Sequence, residues 1–236
     1  MSEITRRIDH LDWNALSDEL DAHGVAVTDA RVLSDDECEA IRAGFDDDLA
    51  FRSTVVMARH GYGDGVYRYY RYPLPDVVAE LRAAAYPHLA GVANRWAQWT
   101  GGERHPGSLD QLLARCEDAG QKRPTPLVLR YGAGGHNALH QDRYGDVAFP
   151  LQLAVALSAP GDDFTGGESV FVEQRPRQQS IATVATVPRG HAVVFANDAR
   201  PVRGARGWRT AHLRHGVSTV RSGTRMALGV IFHDAA

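Results

Sequence analysis

Lysine is almost missing from this sequence: Lys122 is the only one, and the basic side is otherwise arginine. That bias reads as genome composition more than chemistry. Cysteine is scarce as well. Cys38 and Cys116 lie far apart and form no Cys-x-x-Cys, which argues against a disulfide framework or a paired-thiol motif. A reduced, cytoplasmic setting is the simpler expectation. No run of about 18 apolar residues occurs, so no membrane partner is expected. The start, MSEITRRIDHLDW, has no apolar core, so no signal peptide is expected. A large charge excess is also missing. The net charge of −3 is not the footprint of a non-specific nucleic-acid binder.

What is present is ordinary globular composition, 44% hydrophobic and 23% charged over 236 residues. No internal repeat, linker or low-complexity segment divides it. One domain over 1–236 is expected, with a helix-and-strand part (1–120) packed on a strand-rich core (121–236).

The first half carries helix signals. Trp13, Leu16 and Leu20 share one helical face in 12–23, and Gly24 follows as a stop. Val25 to Thr28 predict a short strand. Ser34-Asp35-Asp36-Glu37 is a capping box that opens a helix to about Gly44. Asp46 to Asp48 predict a solvated loop. Residues 51–58 and 66–72 are β-branched and aromatic, which predicts strands. Pro75 opens a long helix through about Trp99, and Ser108 caps another that Gly120 ends.

From Pro124 the pattern changes to short strand-like runs between Gly, Pro and Asp. They are 127–131, 149–158, 168–172, 182–187, 191–196 and 225–232. Such a series predicts an antiparallel sandwich or barrel, with helices from the first half outside it.

Within that region stands His140-Gln141-Asp142. On a strand, positions i and i+2 point to one side, so an imidazole and a carboxylate can grip one ion. Two histidines and one carboxylate on one face form the triad of non-haem iron(II) oxygenases. A lone His-x-Asp is more often a hydrogen-bonded surface pair. The second histidine must come from His191, His212, His215 or His233. His215 is the best choice, because Arg225 follows ten residues later across the turn at 222–223. His212 sits at an odd offset from it and should point the other way on a regular strand, unless a bulge intervenes. If the strands of His215 and Arg225 are neighbours, both side chains face one pocket. A buried Arg225 would need an anionic partner, and its fork fits a carboxylate.

These residues resemble the 2-oxoglutarate/Fe(II) oxygenase superfamily in its prolyl-hydroxylase-like branch. The resemblance is carried by Tyr131, His140-x-Asp142, Phe164-Thr165-Gly166-Gly167-Glu168, Pro188-x-Gly190 and His215-x9-Arg225, over roughly 125–234. The strings GQKRPTPLVLRYG, DFTGGESVFVEQRPRQQS and RHGVSTVRSGTRMALGVIFHDA look like a bacterial oxygenase family labelled by kinship with dioxygenases that reverse nucleic-acid alkylation damage. The resemblance implies a double-stranded β-helix, or jelly roll, flanked by helices. It implies Fe(II) on His140, Asp142 and His215, with 2-oxoglutarate held by Arg225 and Tyr131. With O2 as oxidant, it implies release of succinate and CO2 and hydroxylation of a substrate C–H bond; a hydroxylated N-methyl loses formaldehyde. Related halogenases have a small residue in place of the carboxylate, so Asp142 points to hydroxylation or demethylation.

Other residues keep two readings. Asn137 and Gln152 can reach the co-substrate, or be buried amides. Met57, Arg59, Tyr67, Tyr69 and Arg71 can form a substrate lid that stacks on a base, or packed core with an ion pair. The arginines of 200–225 can be a solvated face or an anion-binding rim. The substrate is an alkylated nucleobase in nucleic acid or a small metabolite. A cupin-like module that binds metal or a small acid without oxygenase activity is the rival from another class.

Overall fold

The computed structural model describes residues 1–142, 144–175 and 177–236. Two antiparallel sheets face each other. The larger has the order β1 (Val25–Val27), β11 (Ala192–Ala196), β7 (Leu151–Ala156), β15 (Arg225–Ile231), β5 (Leu127–Tyr131), β4 (Val66–Tyr70) and β2 (Phe51–Val56). The smaller runs β10 (Ile181–Ala185), β9 (Ser169–Gln174), β13 (Gly207–Val217), β6 (His136–His140) and β3 (Gly63–Asp64), and β12 (Ala199–Gly204) pairs with β13. A third pair joins β14 (Val220–Gly223) to β8 (Phe164–Gly166). This is the expected jelly-roll core. Strands from the first half do not stay outside it; they extend both sheets.

Among the described residues, five α-helices flank the sheets: α1 (Glu3–Asp9), α2 (Trp13–His23), α3 (Asp35–Ala43), α4 (Asp76–Thr100) and α5 (Leu109–Asp118). Their ends follow local chemistry. The Glu37 backbone donates to the Ser34 hydroxyl (3.2 Å), and the Ser34 backbone donates to the Glu37 carboxylate (2.6 Å), so two end-of-helix donors are satisfied. Gly24 closes α2 with φ of 72°, a left-handed conformation open to glycine.

Helix α4 braces the strand that carries Arg225. From a buried position, Arg82 donates to the carbonyls of Ile231 (3.0 Å) and Phe232 (2.9 Å) and to the Asp234 carboxylate (2.8 Å). Its charge is therefore paired and its donors used, as a buried guanidinium requires.

Some expectations need correction. The acidic run at 46–48 is not a plain loop: 3-10 turns cover Gly44–Asp46 and Asp48–Ala50, and Asp48 and Asp46 pair with Arg68 and Arg130. The strand from Phe51 ends at Val56, so Met57 and Arg59 lie in a 3-10 turn, Met57–His60. The strands of His215 and Arg225 are not neighbours. β13 and β15 belong to different sheets, and His215 and Arg225 line one cavity between them. No described helix is long and apolar enough to cross a membrane.

Candidate active site

The register of the smaller sheet brings the histidines together. His215 on β13 is the direct partner of His140 on β6, and a bulge follows before Val217. Partnered residues project to the same face, so both rings point into the sandwich, their centroids 4.2 Å apart. Asp142, two residues past His140, completes the cluster. Its oxygens lie 3.3 Å from His215 Nε2 and 3.7 Å from His140 Nε2. One donor atom from each residue lies within 4.8 Å of the others. An ion about 2.1 Å from each donor fits these separations.

His140 Nδ1 donates to the Ala138 carbonyl (2.8 Å), which leaves Nε2 as the free lone pair facing Asp142. Burial pushes His140 below the ordinary histidine value, and neighbouring His215 adds to this, so the ring is neutral as a ligand must be. Burial by itself would raise the Asp142 carboxyl. The hydrogen bond and charge of His215, with His140 and Gln152, outweigh burial and hold it well below the carboxylate range. The Nδ1 of His215 is buried with no partner among the described residues. Its ring is positioned instead by packing on Phe195, 4.7 Å between centroids.

A second tier holds Asp142. The Gln152 side-chain nitrogen, buried on β7, donates to Oδ2 (3.1 Å). The Tyr144 hydroxyl donates to Oδ1 (2.8 Å), and the Tyr69 hydroxyl meets Tyr144 at 3.0 Å. The Asp142 backbone donates to the Asn197 amide oxygen (3.2 Å). Gln141, between the two ligand candidates, ties the segment to Asp198 and to the Leu213 carbonyl. Tyr144→Phe is expected to weaken binding of Mn(II), a stand-in for Fe(II), about tenfold to a hundredfold, the usual effect of losing such a partner. Isothermal titration of the metal alone measures it; unchanged affinity would show that the hydroxyl holds nothing.

The triad lines a cavity of about 460 Å³ between the sheets. At one end is Arg225. It partners Tyr131 in the β15–β5 register, and its guanidinium lies 5.6 Å from the Tyr131 ring centroid. Arg225 is buried, and its only polar contact among the described residues is the Ser169 hydroxyl at 3.3 Å. The Tyr131 hydroxyl is buried with no hydrogen-bond partner among them. Burial pushes its pKa up to about 12, with Arg225 pulling the other way. A cation without a counter-ion beside an unused hydroxyl is costly in a folded interior. An entering carboxylate would relieve both, so the residues present fit a keto acid that reaches from Arg225 to a metal at the triad. Gly167 makes room for this end: its φ is 63°, and a side chain there would meet Arg225 Cδ at 3.0 Å.

At the other end, Tyr67, Tyr69 and Tyr144 line the wall with Leu127 and Ile231. Met57, Asn137 and Gln152 also face the cavity. Arg59 and Arg71 do not. Arg59 is exposed on the 3-10 turn, and Arg71, beyond the end of β4, donates to the Phe51 carbonyl. Alternation from Tyr69 does not reach Arg71 because the strand stops at Tyr70. His212 is exposed, and its ring lies 3.1 Å from the Asp198 carboxylate, as its odd offset from His215 implies. Sequence reasoning missed Tyr144, Ser169 and Asn197. The two-residue spacing from His140 to Asp142 also reaches Tyr144 and could have flagged it; nothing local marks Asn197, which acts across the fold.

Comparison with known proteins agrees with this geometry. The Oxygenase-NA family, described as an oxygenase catalysing oxidative methylation of damaged DNA, matches residues 65–235. Two uncharacterized proteins from Mycobacterium tuberculosis strains are 52% identical over 165 residues, 70% of this chain and 71% of theirs. A prolyl-4-hydroxylase from Pseudomonas putida has the same fold: TM-score 0.54, 16% identity, 95% of this chain and 100% of that one covered. So does a 2-oxoglutarate/Fe(II) oxygenase from Burkholderia pseudomallei, with TM-score 0.56, 18% identity and coverage of 95% and 93%. The chain belongs to the Oxygenase-NA family of oxygenases.

Proposed function

We propose that His140, Asp142 and His215 hold the iron, that Arg225 with Tyr131 and Ser169 binds the distal carboxylate of 2-oxoglutarate, and that the enzyme oxidises an N-alkyl group on a nucleobase. The observation that carries this reading is Arg225, a buried cation with no carboxylate partner among the described residues, sharing one cavity with two histidines and an aspartate. When bound, the iron and keto acid together supply O2 activation, placing one oxygen atom in succinate and the other on the substrate, with release of CO2.

The chain's own residues do the rest. His140 and His215 offer imidazole nitrogen donors, and Asp142 offers charge. Gln152 and Tyr144 hold the carboxylate in one orientation. The sheet walls exclude bulk water, which strengthens the Arg225–carboxylate pair. Tyr67 and Tyr69, edge to face at 5.5 Å, offer aromatic surface to a planar ring. Hydroxylation of an N-methyl carbon gives a hemiaminal that releases formaldehyde, leaving the amine. The description of the family, which names damaged DNA, supports a nucleobase. A cupin-like binding module has no use for Arg225.

The test supplies Fe(II), ascorbate, 2-oxoglutarate and a single-stranded oligonucleotide with one N-methylated base. Succinate and formaldehyde are expected in equal amounts, with the base lighter by one methylene. Succinate release that no methylated oligonucleotide or nucleoside stimulates would move the substrate to a small metabolite, the reading that the net charge of −3 favours.

A further inference from the structure

Charge is not spread evenly along this chain. From Gln174 to the C-terminus there are ten arginines and only two acidic residues, Asp198 and Asp234, although the whole chain carries −3. Two of those arginines have interior roles: Arg225 lines the cavity, and Arg200 is buried against Glu173 (2.6 Å) and the Asp21 carbonyl (3.0 Å). Most of the others gather at two neighbouring hairpins. Arg203, Arg206 and Arg209 surround the tip of the β12–β13 hairpin, and Arg175 and Arg177 lie in the β9–β10 connection. Arg214 stands on the outer face of β13. All but the half-buried Arg175 are exposed, and none of the six has an acidic ion-pair partner among the described residues. The Arg175 Nε is buried with no partner among them.

Register shows where this cluster stands relative to the site. Along β9, Ser169 touches Arg225, Phe171 partners His215, and Gln174 partners His212. The strand therefore leads from the proposed keto-acid anchor, past the triad, to the arginines. At a rise of about 3.3 Å per residue, Arg175 stands about 13 Å beyond the level of the triad. The arginines thus lie past the level of the triad, on the side away from the co-substrate's proposed anchor.

The longer hairpin is also held stiff. Trp208 near its tip stacks on Trp99 of α4, centroids 4.1 Å apart and planes within 6°. The Arg203 guanidinium also lies over the Trp208 ring, 5.3 Å from its centroid. Arg200 pins its base. A basic tip fixed in this way loses little freedom on binding, and guanidinium forks match phosphate oxygens.

We propose that these two hairpin tips form a rim that contacts the phosphate backbone of a single nucleic-acid strand whose modified base enters the cavity. The proposal rests on the nucleobase reading above. The test uses the full chain loaded with Mn(II) and 2-oxoglutarate, and fluorescence anisotropy of a single-stranded oligonucleotide with one N-methylated base, over about 50–200 mM salt. The variant is Arg203→Gln/Arg206→Gln/Arg209→Gln. Wild type is expected to bind with a steep salt dependence. The variant is expected to lose about tenfold in affinity at low salt and about two from the log–log slope, near 0.7 per lost phosphate contact. Its Mn(II) affinity should match wild type, which shows that the fold and triad are intact.

Equal affinity and slope in variant and wild type would overturn the rim. So would failure of wild type to bind the oligonucleotide. In either case, formaldehyde release from a free N-methylated nucleoside by wild type decides the nucleobase reading separately.

Discussion

Arg225→Met is expected to make the ligand-free protein more stable and to abolish its response to 2-oxoglutarate. The two effects have one cause. Arg225 is buried with a lone hydroxyl contact, and burial lowers its pKa below the ordinary arginine value. An uncompensated buried charge costs several kcal/mol, and an apolar residue of similar length removes that cost. A gain of about 1–4 kcal/mol is expected, a few degrees or more in Tm for a chain of this size. On the proposed reading, the ligand supplies the counter-ion in wild type. At a hundred times its Kd, 2-oxoglutarate should add about 2.7 kcal/mol, or about 5–10 °C. Thermal unfolding with a chelator present isolates this carboxylate contact from metal chelation. If Arg225→Met still shifts with 2-oxoglutarate as wild type does, the keto acid is anchored elsewhere.

His215→Ala and His212→Ala are expected to part company completely. The positions are three residues apart on one strand, yet His215 is 8% exposed and faces Asp142, while His212 is exposed beside Asp198. Removing a direct ligand should cost more than removing an outer partner, so Mn(II) affinity should fall more than about a hundredfold in His215→Ala. Succinate release should vanish with it. His212→Ala should bind Mn(II) within a few-fold of wild type. Electron paramagnetic resonance of free Mn(II) measures both. Equal affinity in the two variants would remove His215 from the metal site.

Much of the site was legible because it obeys short-range rules. The odd offset between His212 and His215 is strand geometry and appears in the structure, while Asp142 joins His140 from just past the end of β6. The Ser34–Glu37 capping box and the Gly24 stop are equally local. Expectations failed where local signals compete. Residues 51–58 have strand composition throughout, yet the chain turns at Met57, which removes Arg59 from the cavity wall. Arg71 leaves the pattern of Tyr67 and Tyr69 because β4 ends one residue too soon. Strands β6 and β12 lack the apolar alternation that marks a half-buried strand. Histidines, asparagine and arginines occupy them, since one faces the triad and the other carries the basic hairpin.

The sequence by itself determined the chemistry: an imidazole and a carboxylate at strand spacing, a distant histidine, and an arginine at a fixed interval behind it. It could do so because periodicity and donor type are properties of the chain's own covalent order. Only the tertiary structure decided that His215 and Arg225 line one cavity from two sheets, that Tyr144 and Asn197 fasten Asp142, and that Arg225 has no counter-ion among the described residues. Those facts depend on which strands pair and which faces oppose, and such contacts form between segments whose separation along the chain carries no local signal.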